Sequence, residues 1–427
     1  MLSRKLQSSG TPQIEFVGSV SSTVSNTDLS ISLASVSFEA GDLALLYIAG
    51  STRDDSYYLD GWALVERNTT VTRESAVYMR VLGDNTDTAA STSLAAGSTH
   101  GIISVFRNAT INGDEVAMDI GGGSSTFAPD PPTAAVSDVE ANDVVFVCGM
   151  HESSTSNITG GPSGGGYTSI YTGKSSSSTT AGVSYRTGLT GQPNPATLEG
   201  DGSWVNRDWV AHTIILRPRS TPYTTGLIGG VSTFEEAASS TISVDVSSLG
   251  IEGGDLLMIY YTAYSTTCDV SGATVWQDLA YTASYPNTHV RPGFLLGNES
   301  TITITGTTSP KNLHAVVIRG YDYHYPIGNR TAATGSSTVP DPPAESGVVS
   351  SDIVLVWGTI NQDDTALTAP TNFTLITEET TSPTTFGVTS AVAWRTSTSG
   401  SINPPAFGGG TGESKTWTSA THILDKR

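Results

Sequence analysis

The side chains that could do chemistry are scattered along the chain, and few stand at the spacing that a reaction needs. No two of the seven histidines lie three or four residues apart, and no cysteine pair accompanies them, as a zinc site would require. Two acidic clusters, Asp54-Asp55 and Asn361-Gln362-Asp363-Asp364, offer oxygen ligands for Ca²⁺ but lack the spaced acidic pattern of a calcium loop. The sequence therefore predicts no catalytic residue, no metal and no cofactor, and a protein that is not an enzyme.

Two tyrosine-rich segments are better candidates for contact with a ligand or a receptor. Aromatic rings beside Asp and Asn can stack on sugar rings while the polar groups bind the hydroxyls. Tyrosine is also common in subunit interfaces, so packing within an oligomer is the alternative interpretation. The candidate residues are Tyr321, Tyr323, His324, Tyr325, Tyr57 and Tyr58.

The composition excludes several kinds of partner. Lys and Arg number 20 and Asp and Glu number 40, which gives a net charge of −20. Proteins that bind nucleic acids or anionic membranes need an excess of Lys and Arg, and this chain has an excess of acidic residues. Neither is therefore an expected partner. Only 14% of the residues are charged, so Ser and Thr hydroxyls must supply much of the polar surface. No segment has the composition of a membrane span or of a secretory signal, which predicts synthesis in a cytoplasm.

Short β-rich runs bounded by Gly, Ser, Asn, Asp and Pro dominate the chain. Residues 42–49 and 143–149 are almost continuously apolar, which predicts strands buried on both faces. Residues 302–305 alternate between apolar and polar, as half-exposed strands do. Helical patterns are almost absent. We therefore expect an all-β protein of antiparallel sandwiches, jelly-roll-like in the first interpretation and immunoglobulin-like in the second.

The sequence contains an internal repeat, so that its two halves resemble each other. Pro129-Asp130-Pro131-Pro132 recurs as Pro340-Asp341-Pro342-Pro343, a shift of 211 positions, and reads as a rigid crossover before a central strand. Gly41-Asp42-Leu43 recurs as Gly254-Asp255-Leu256, and His100 is matched to His314, which indicates a shared structural role. The sequence predicts an N-terminal arm at 1–14 and two homologous sandwich domains at 15–219 and 225–427.

Four elements of this pattern carry a resemblance. They are Gly18-Ser19, Gly41-Asp42-Leu43, Gly61-Trp62 and the closing segment 209–218, which reads Trp-x-Ala-x-x-Ile-x-Leu-Arg-Pro. The combination resembles tailed-bacteriophage structural proteins of the tail fibre-like kind. The second half repeats it loosely and ends in Asp425-Lys426-Arg427 instead of Arg-Pro. The resemblance implies a virion protein and carries over no catalytic residue.

The expected function is that of a virion component, foremost a tail-associated fibre or receptor-binding protein. Its expected partners are other virion proteins of the tail or capsid, a host cell-surface glycan and further copies of itself. A capsid decoration protein that stabilises the head is the alternative within the virion. A carbohydrate-binding adhesin module and a glycan-degrading enzyme are the alternatives from other classes.

Overall fold

The computed structural model shows an all-β protein, as the sequence predicts. It describes residues 12–25, 29–50, 59, 62–70, 73–83, 89–92, 98–111, 115–121, 128–152, 156–174, 179–201, 208–219, 225–235, 240–263, 269–275, 279–282, 287–305, 311–322, 330–361, 366–380, 387–397, 400–410 and 414–426. These residues form antiparallel strands and no α-helix, with a short 3-10 turn at Ser247–Leu249. None of them belongs to a helix long and apolar enough to cross a bilayer. The jelly-roll description stays a prediction.

The chain divides into two compact units. Unit 1 comprises Met1–Leu59 and Leu64–Tyr223, and unit 2 comprises Asp60–Ala63 and Thr224–Arg427. Within each unit the strands form two main sheets, and each main sheet is accompanied by one or two smaller sheets. We call a main sheet with its smaller sheets a module and number the modules 1 to 4 in chain order.

Unit 1 contains modules 1 and 2. The strands of module 1 are β1 (Glu15–Ser25), β2 (Leu29–Ser32), β3 (Leu43–Gly50), β4 (Ala63–Thr70), β5 (Arg73–Val81), β6 (Ala89–Thr92) and β7 (Ser98–Arg107). Those of module 2 are β8 (Ala109–Thr110), β9 (Val116–Gly121), β10 (Val144–Glu152), β11 (Ile158–Pro162), β12 (Thr168–Lys174), β13 (Thr179–Thr187), β14 (Leu198–Gly200) and β15 (Trp209–Pro218). The main sheets run β1-β7-β3-β5-β4 and β9-β15-β10-β13-β12, and the small sheets are β2-β6 and β11-β14.

Unit 2 contains modules 3 and 4. The strands of module 3 are β16 (Gly226–Glu235), β17 (Thr241–Asp245), β18 (Leu256–Ala263), β19 (Asp269–Ser271), β20 (Thr274–Val275), β21 (Leu279–Thr282), β22 (Asn287–Phe294), β23 (Thr301–Thr305) and β24 (Lys311–Arg319). Those of module 4 are β25 (Tyr321–Asp322), β26 (Arg330–Ser337), β27 (Glu345–Val348), β28 (Ile353–Ile360), β29 (Leu367–Thr368), β30 (Thr374–Thr380), β31 (Thr389–Thr396), β32 (Gly400–Ile402), β33 (Gly408–Gly409) and β34 (Lys415–Lys426). The main sheets run β16-β24-β18-β22-β20 and β26-β34-β28-β31-β30.

The four main sheets share one strand order. In each, the first strand pairs with the last, the last pairs with a central strand, and the central strand pairs with a flanking strand that leads to the far edge. The central strands β3, β10, β18 and β28 each follow an aspartate, and these aspartates lie 101, 112 and 97 positions apart. The structural repeat is therefore about half as long as the period visible in the sequence.

The central strands are buried on both faces, as their apolar runs predict. Every residue of β3 and β28 is buried. One face of β10 packs on the small sheet of its own module, and the other carries Phe146, whose ring lies 6.0 Å from that of Phe106 in module 1. In unit 2 the rings of Tyr260 in module 3 and Trp357 in module 4 also meet, with their centroids 5.6 Å apart. The two main sheets of a unit thus face each other, and the small sheets cover their outer faces.

The repeated Pro-Asp-Pro-Pro segments lie directly over the central strands of modules 2 and 4. The carbonyl of Pro129 accepts a hydrogen bond from the N–H of Leu198, and that of Pro340 accepts one from Phe407, both at 2.9 Å. Beneath the second segment lies Gly358, where an added Cβ would stand 2.8 Å from the Cβ of Pro340. Only a residue without a side chain leaves room for this close approach.

Candidate functional site

A buried aspartate precedes each central strand and fixes the turn before it. The carboxylates of Asp42, Asp143, Asp255 and Asp352 each accept a hydrogen bond of 2.6–2.8 Å from the backbone N–H three residues earlier. In modules 1 to 3 an arginine at the end of the last strand binds the same carboxylate. These arginines are Arg107, Arg217 and Arg319. The repeated Gly-Asp-Leu of the sequence therefore marks a structural ion pair and not a reaction centre.

Module 4 lacks this arginine. Leu424 pairs with Ile353 as Ile318 pairs with Leu256 in module 3, so Asp425 stands where the arginine would be. Burial raises the pKa of Asp352, and the charge of Asp425 raises it further. Two carboxyl groups thus stand where modules 1 to 3 have an ion pair, and this is where the C-terminal sequence diverges.

The main sheets of unit 1 meet through polar groups at one end. His100 Nε2 lies 3.1 Å from the carbonyl oxygen of Thr179, which can only accept, so Nε2 carries the proton. His100 Nδ1 then accepts from the hydroxyls of Tyr171 at 3.0 Å and Thr23 at 3.1 Å. Burial lowers the pKa of His100, which keeps the ring neutral. Thr23 and Tyr171 reach the surface, so this group is partly exposed.

A serine and a histidine also meet inside unit 1, but not as a nucleophile and its base. Ser75 Oγ lies 2.7 Å from His212 Nε2 and donates to the hydroxyl of Tyr47 at 3.3 Å. Both residues are fully buried, and in the described part of the chain no partner orients His212 Nδ1. A catalytic pair needs an accessible serine and an oriented histidine. Burial lowers the pKa of His212 to about 3, which suits a neutral packing residue.

Unit 2 has a comparable polar end. His314 Nε2 lies 2.7 Å from Ser390 Oγ, and its Nδ1 lies 2.9 Å from Thr377 Oγ1. The amide nitrogen of Asn312 donates to the carbonyl of Val388 at 3.1 Å and to Ser390 Oγ at 2.9 Å. Burial lowers the pKa of His314 to about 3. These groups hold two neutral polar surfaces together away from solvent.

The strand register corrects the predicted match between His100 and His314. His100 pairs with Ala49, the seventh residue of its central strand, as Asn312 pairs with Thr262. His314 occupies the place of His212 instead, since both pair with the fifth residue of a central strand. The sequence match was wrong by two positions because a shift of two leaves a residue on the same face of a strand.

The predicted tyrosine site is only partly within the described structure. Tyr321 is 4% exposed, and its hydroxyl donates to the carbonyl of Ser351 at 2.9 Å. Its role in contacting a receptor stays a prediction. The other five candidates lie outside the described residues, namely Tyr57, Tyr58, Tyr323, His324 and Tyr325.

The remaining candidate motifs of the sequence form no catalytic or metal site in the residues that the structure describes. No group of three or more His, Cys, Asp or Glu side chains in the described residues could hold a metal ion. The pattern Gly-x-Ser-x-Gly occurs at Gly161–Gly165, where Ser163 is exposed on the turn after β11, and no described hydrogen bond joins it to a histidine. Cys148 is a buried free thiol, and burial raises its pKa well above the ordinary value. Cys268 and the acidic pair Asp54-Asp55 lie outside the described residues.

Module 3 contains a cavity at the edge of its three-stranded sheet. Its volume is about 360 Å³, and it lies between the turn after β19 and the segment that leads into β23. Its lining includes Asn298, Glu299, Ser300 and Thr301. The Glu299 carboxylate accepts hydrogen bonds from the N–H groups of Leu296 at 2.5 Å and Gly297 at 2.8 Å. Burial raises the pKa of Glu299 against the lowering effect of these amides.

Comparison with known proteins adds no relative. No protein-family model matches the chain, and neither a curated protein nor a solved structure is significantly similar to it. The assignment of a function therefore depends on the residues and the geometry described above.

Sequence reasoning did not find the module 3 cavity. Glu299 lies in a Gly-Asn-Glu-Ser segment that reads as an ordinary turn. The cavity depends on Gly272, because the φ of +87° at this residue brings the neighbouring turn close to the edge of β23. The alternation of 301–305 was the available signal, because it shows that three threonines share one face.

Proposed function

We propose that the protein is a structural component of a bacteriophage particle, foremost a tail-associated fibre or receptor-binding protein. One observation carries the proposal: two of the four segments that resemble phage structural proteins, residues 41–43 and 209–218, coincide with the parts of the fold that build and lock the main sheet. Gly41-Asp42-Leu43 forms the turn and start of a central strand, and Trp209–Pro218 is the last strand of module 2. The resemblance is therefore one of architecture.

The use of the polar side chains supports a scaffold. The arginines and aspartates before the central strands of modules 1 to 3 bind one another, and His212 and His314 lie buried between sheets. Paired sheets that face each other make a rigid body whose loops can vary without loss of the fold. Such a body suits a particle component that presents loops to a host surface.

Quantitative mass spectrometry of purified particles tests the proposal. The number of copies of this chain is measured relative to the major capsid protein, with a non-structural phage enzyme as the negative control. A ratio of a few per cent or less is expected for a tail fibre. A ratio near one would assign the chain to the capsid surface as a decoration protein. Absence of the chain from intact particles would refute the proposal in both forms.

A further inference from the structure

The outer small sheet of module 3 presents hydroxyl groups in register. Ile242 and Val244 of β17 and Ile302 and Ile304 of β23 point into the core of the module. The alternate residues of β17, β19 and β23 face outward, because successive side chains of a strand alternate between faces. They are Thr241, Ser243, Asp245, Asp269, Ser271, Thr301, Thr303 and Thr305, which we call the hydroxyl face.

The hydroxyl face is ordered across its strands. Thr303 pairs with Ser243 on one side and with Ser271 on the other, and Thr305 pairs with Thr241 and Asp269. Neighbouring strands lie about 4.8 Å apart, so hydroxyls of adjacent strands come within reach of one ligand. Ser243 Oγ and Thr303 Oγ1 already lie 2.7 Å apart. The face is thus a row of paired hydroxyls bordered by two carboxylates.

The module 3 cavity continues the hydroxyl face. Thr301 belongs to both, and Glu299 stands in the cavity wall two residues earlier. The bonds from Leu296 and Gly297 hold its carboxylate in one orientation. The backbone N–H groups of Asn298 and Glu299 bind the same carboxylate, so Glu299 presents a fixed carboxyl group in the cavity wall. Gly272 is required here, since an added Cβ would stand 2.0 Å from the carbonyl oxygen of Thr301.

We propose that the hydroxyl face and the adjoining cavity of module 3 form a binding site for a neutral polysaccharide. Sugar hydroxyls both donate and accept hydrogen bonds, which matches paired Ser and Thr hydroxyls beside carboxylates that can only accept. The cavity is large enough for a small ligand group, since ligand pockets span about 300–1,000 Å³. Acidic glycans are disfavoured, because Asp245, Asp269 and Glu299 would repel them and the chain carries a net charge of −20.

The other modules supply an internal comparison. In the described residues their small sheets are two-stranded, whereas β17, β23 and β19 form a three-stranded sheet. The β2 strand of module 1 also places serines outward, at Ser30 and Ser32, and in the part of the module that the structure describes its only neighbour is β6. The described part of this two-stranded sheet offers fewer simultaneous hydrogen bonds than the three strands of module 3 do, so we assign the site to module 3.

Binding of the purified full chain to an array of bacterial cell-surface polysaccharides, neutral and acidic, tests this inference. The test variant combines Ser243→Ala with Thr303→Val, which removes two hydroxyls and keeps strand-forming side chains. The matched control combines Ser30→Ala with Ser32→Ala. We expect the wild-type chain to bind at least one neutral polysaccharide. The test variant should bind it roughly thirtyfold more weakly, since it loses two hydrogen bonds of about 1 kcal/mol each, and the control should bind as the wild type does.

Three results would overturn the inference: no binding to any neutral polysaccharide, preferential binding to acidic ones, or equal binding by the test variant. Circular dichroism establishes that the variants are folded before binding is compared. The inference rests on the proposed function but fails separately from it. A chain present in particles without glycan binding removes only the site, and glycan binding by a chain absent from particles removes only the virion assignment.

Discussion

Acid should lower the free energy of unfolding of each unit through its buried histidines. The clearest examples are His212 in unit 1 and His314 in unit 2. Burial lowers the pKa of both rings from 6.5 to about 3, and their partners are neutral hydroxyls. A histidine whose pKa is lowered in the folded state stabilises the fold fully above pH 6.5. Its contribution falls as the pH drops from 6.5 toward 3, because the unfolded chain binds the proton first.

The size of the effect follows from the two pKa values. At pH 5 the unfolded histidine is protonated and the folded one is neutral. This pH lies 1.5 units below the pKa of the unfolded histidine, which is 6.5. At 1.36 kcal/mol per unit this lowers the free energy of unfolding by about 2 kcal/mol for each ring. The loss at pH 5 precedes most carboxylate titration, which lies near pH 4. The histidines should therefore dominate the first part of the acid sensitivity.

Urea denaturation of the wild type and of His212→Gln, at pH 7.5 and pH 5.0, measures the effect. The variant is expected to be less stable at pH 7.5, because the hydrogen bond to Ser75 is weakened. The stability that it loses between the two pH values should be about 2 kcal/mol smaller than in the wild type. His314→Gln should behave in the same way for unit 2. An equal loss in wild type and both variants would refute the reasoning, whatever their stability at pH 7.5.

Three further predictions concern packing, charge and reactivity. Gly358→Ala should destabilise unit 2 by about 1–3 kcal/mol in urea denaturation, because the new methyl group would overlap the ring of Pro340. Arg319→Met should cost about 3–5 kcal/mol, since it leaves the buried carboxylate of Asp255 without its cation, and the melting temperature should fall accordingly. Cys148 should not react with a thiol reagent in the native protein and should react once the chain is unfolded, as its burial and raised pKa require.

Each of these predictions has a control in the same chain. Gly18→Ala adds a methyl group at an ordinary contact distance of 3.4 Å from Val36 and should cost much less than Gly358→Ala. Arg107→Met should cost less than Arg319→Met, because the Arg107 side chain is 25% exposed and that of Arg319 is 9% exposed. The thiol assay is done on a Cys268→Ser background, so that one thiol is counted. Equal costs within either pair, or a rapidly reacting Cys148, would contradict the structure.

Because the modules repeat, equivalent positions can be compared within one chain. The same position in two modules can hold different residues, as His100 and Asn312 do, while the bond to a carbonyl of the facing sheet is retained. What is preserved is a neutral donor at the polar end of the sheet pair. Substitutions that keep a neutral donor should therefore be tolerated better than those that introduce a charge.

The amino-acid sequence by itself determined the fold class and the nature of the central strands. Apolar runs too short for helices and bounded by turn residues can satisfy their backbone only in sheets, and runs without alternation need cover on both faces. It also identified the aspartate before the strand in Gly41-Asp42-Leu43, because the pattern recurs. These features depend on the order of residues along the chain, so they are visible without a structure.

Only the tertiary structure decided what lies across from what. Sequence comparison showed a long period but not the shorter repeat of modules, because sheet order depends on pairings between strands that are distant in the chain. It misaligned His100 with His314, since a shift of two residues leaves a side chain on the same face of the strand. Two further features were visible only in the structure: the ion pair of Arg319 with Asp255, and the contact of the hydroxyl face with the cavity that contains Glu299. Each depends on residues that are brought together only when the chain folds.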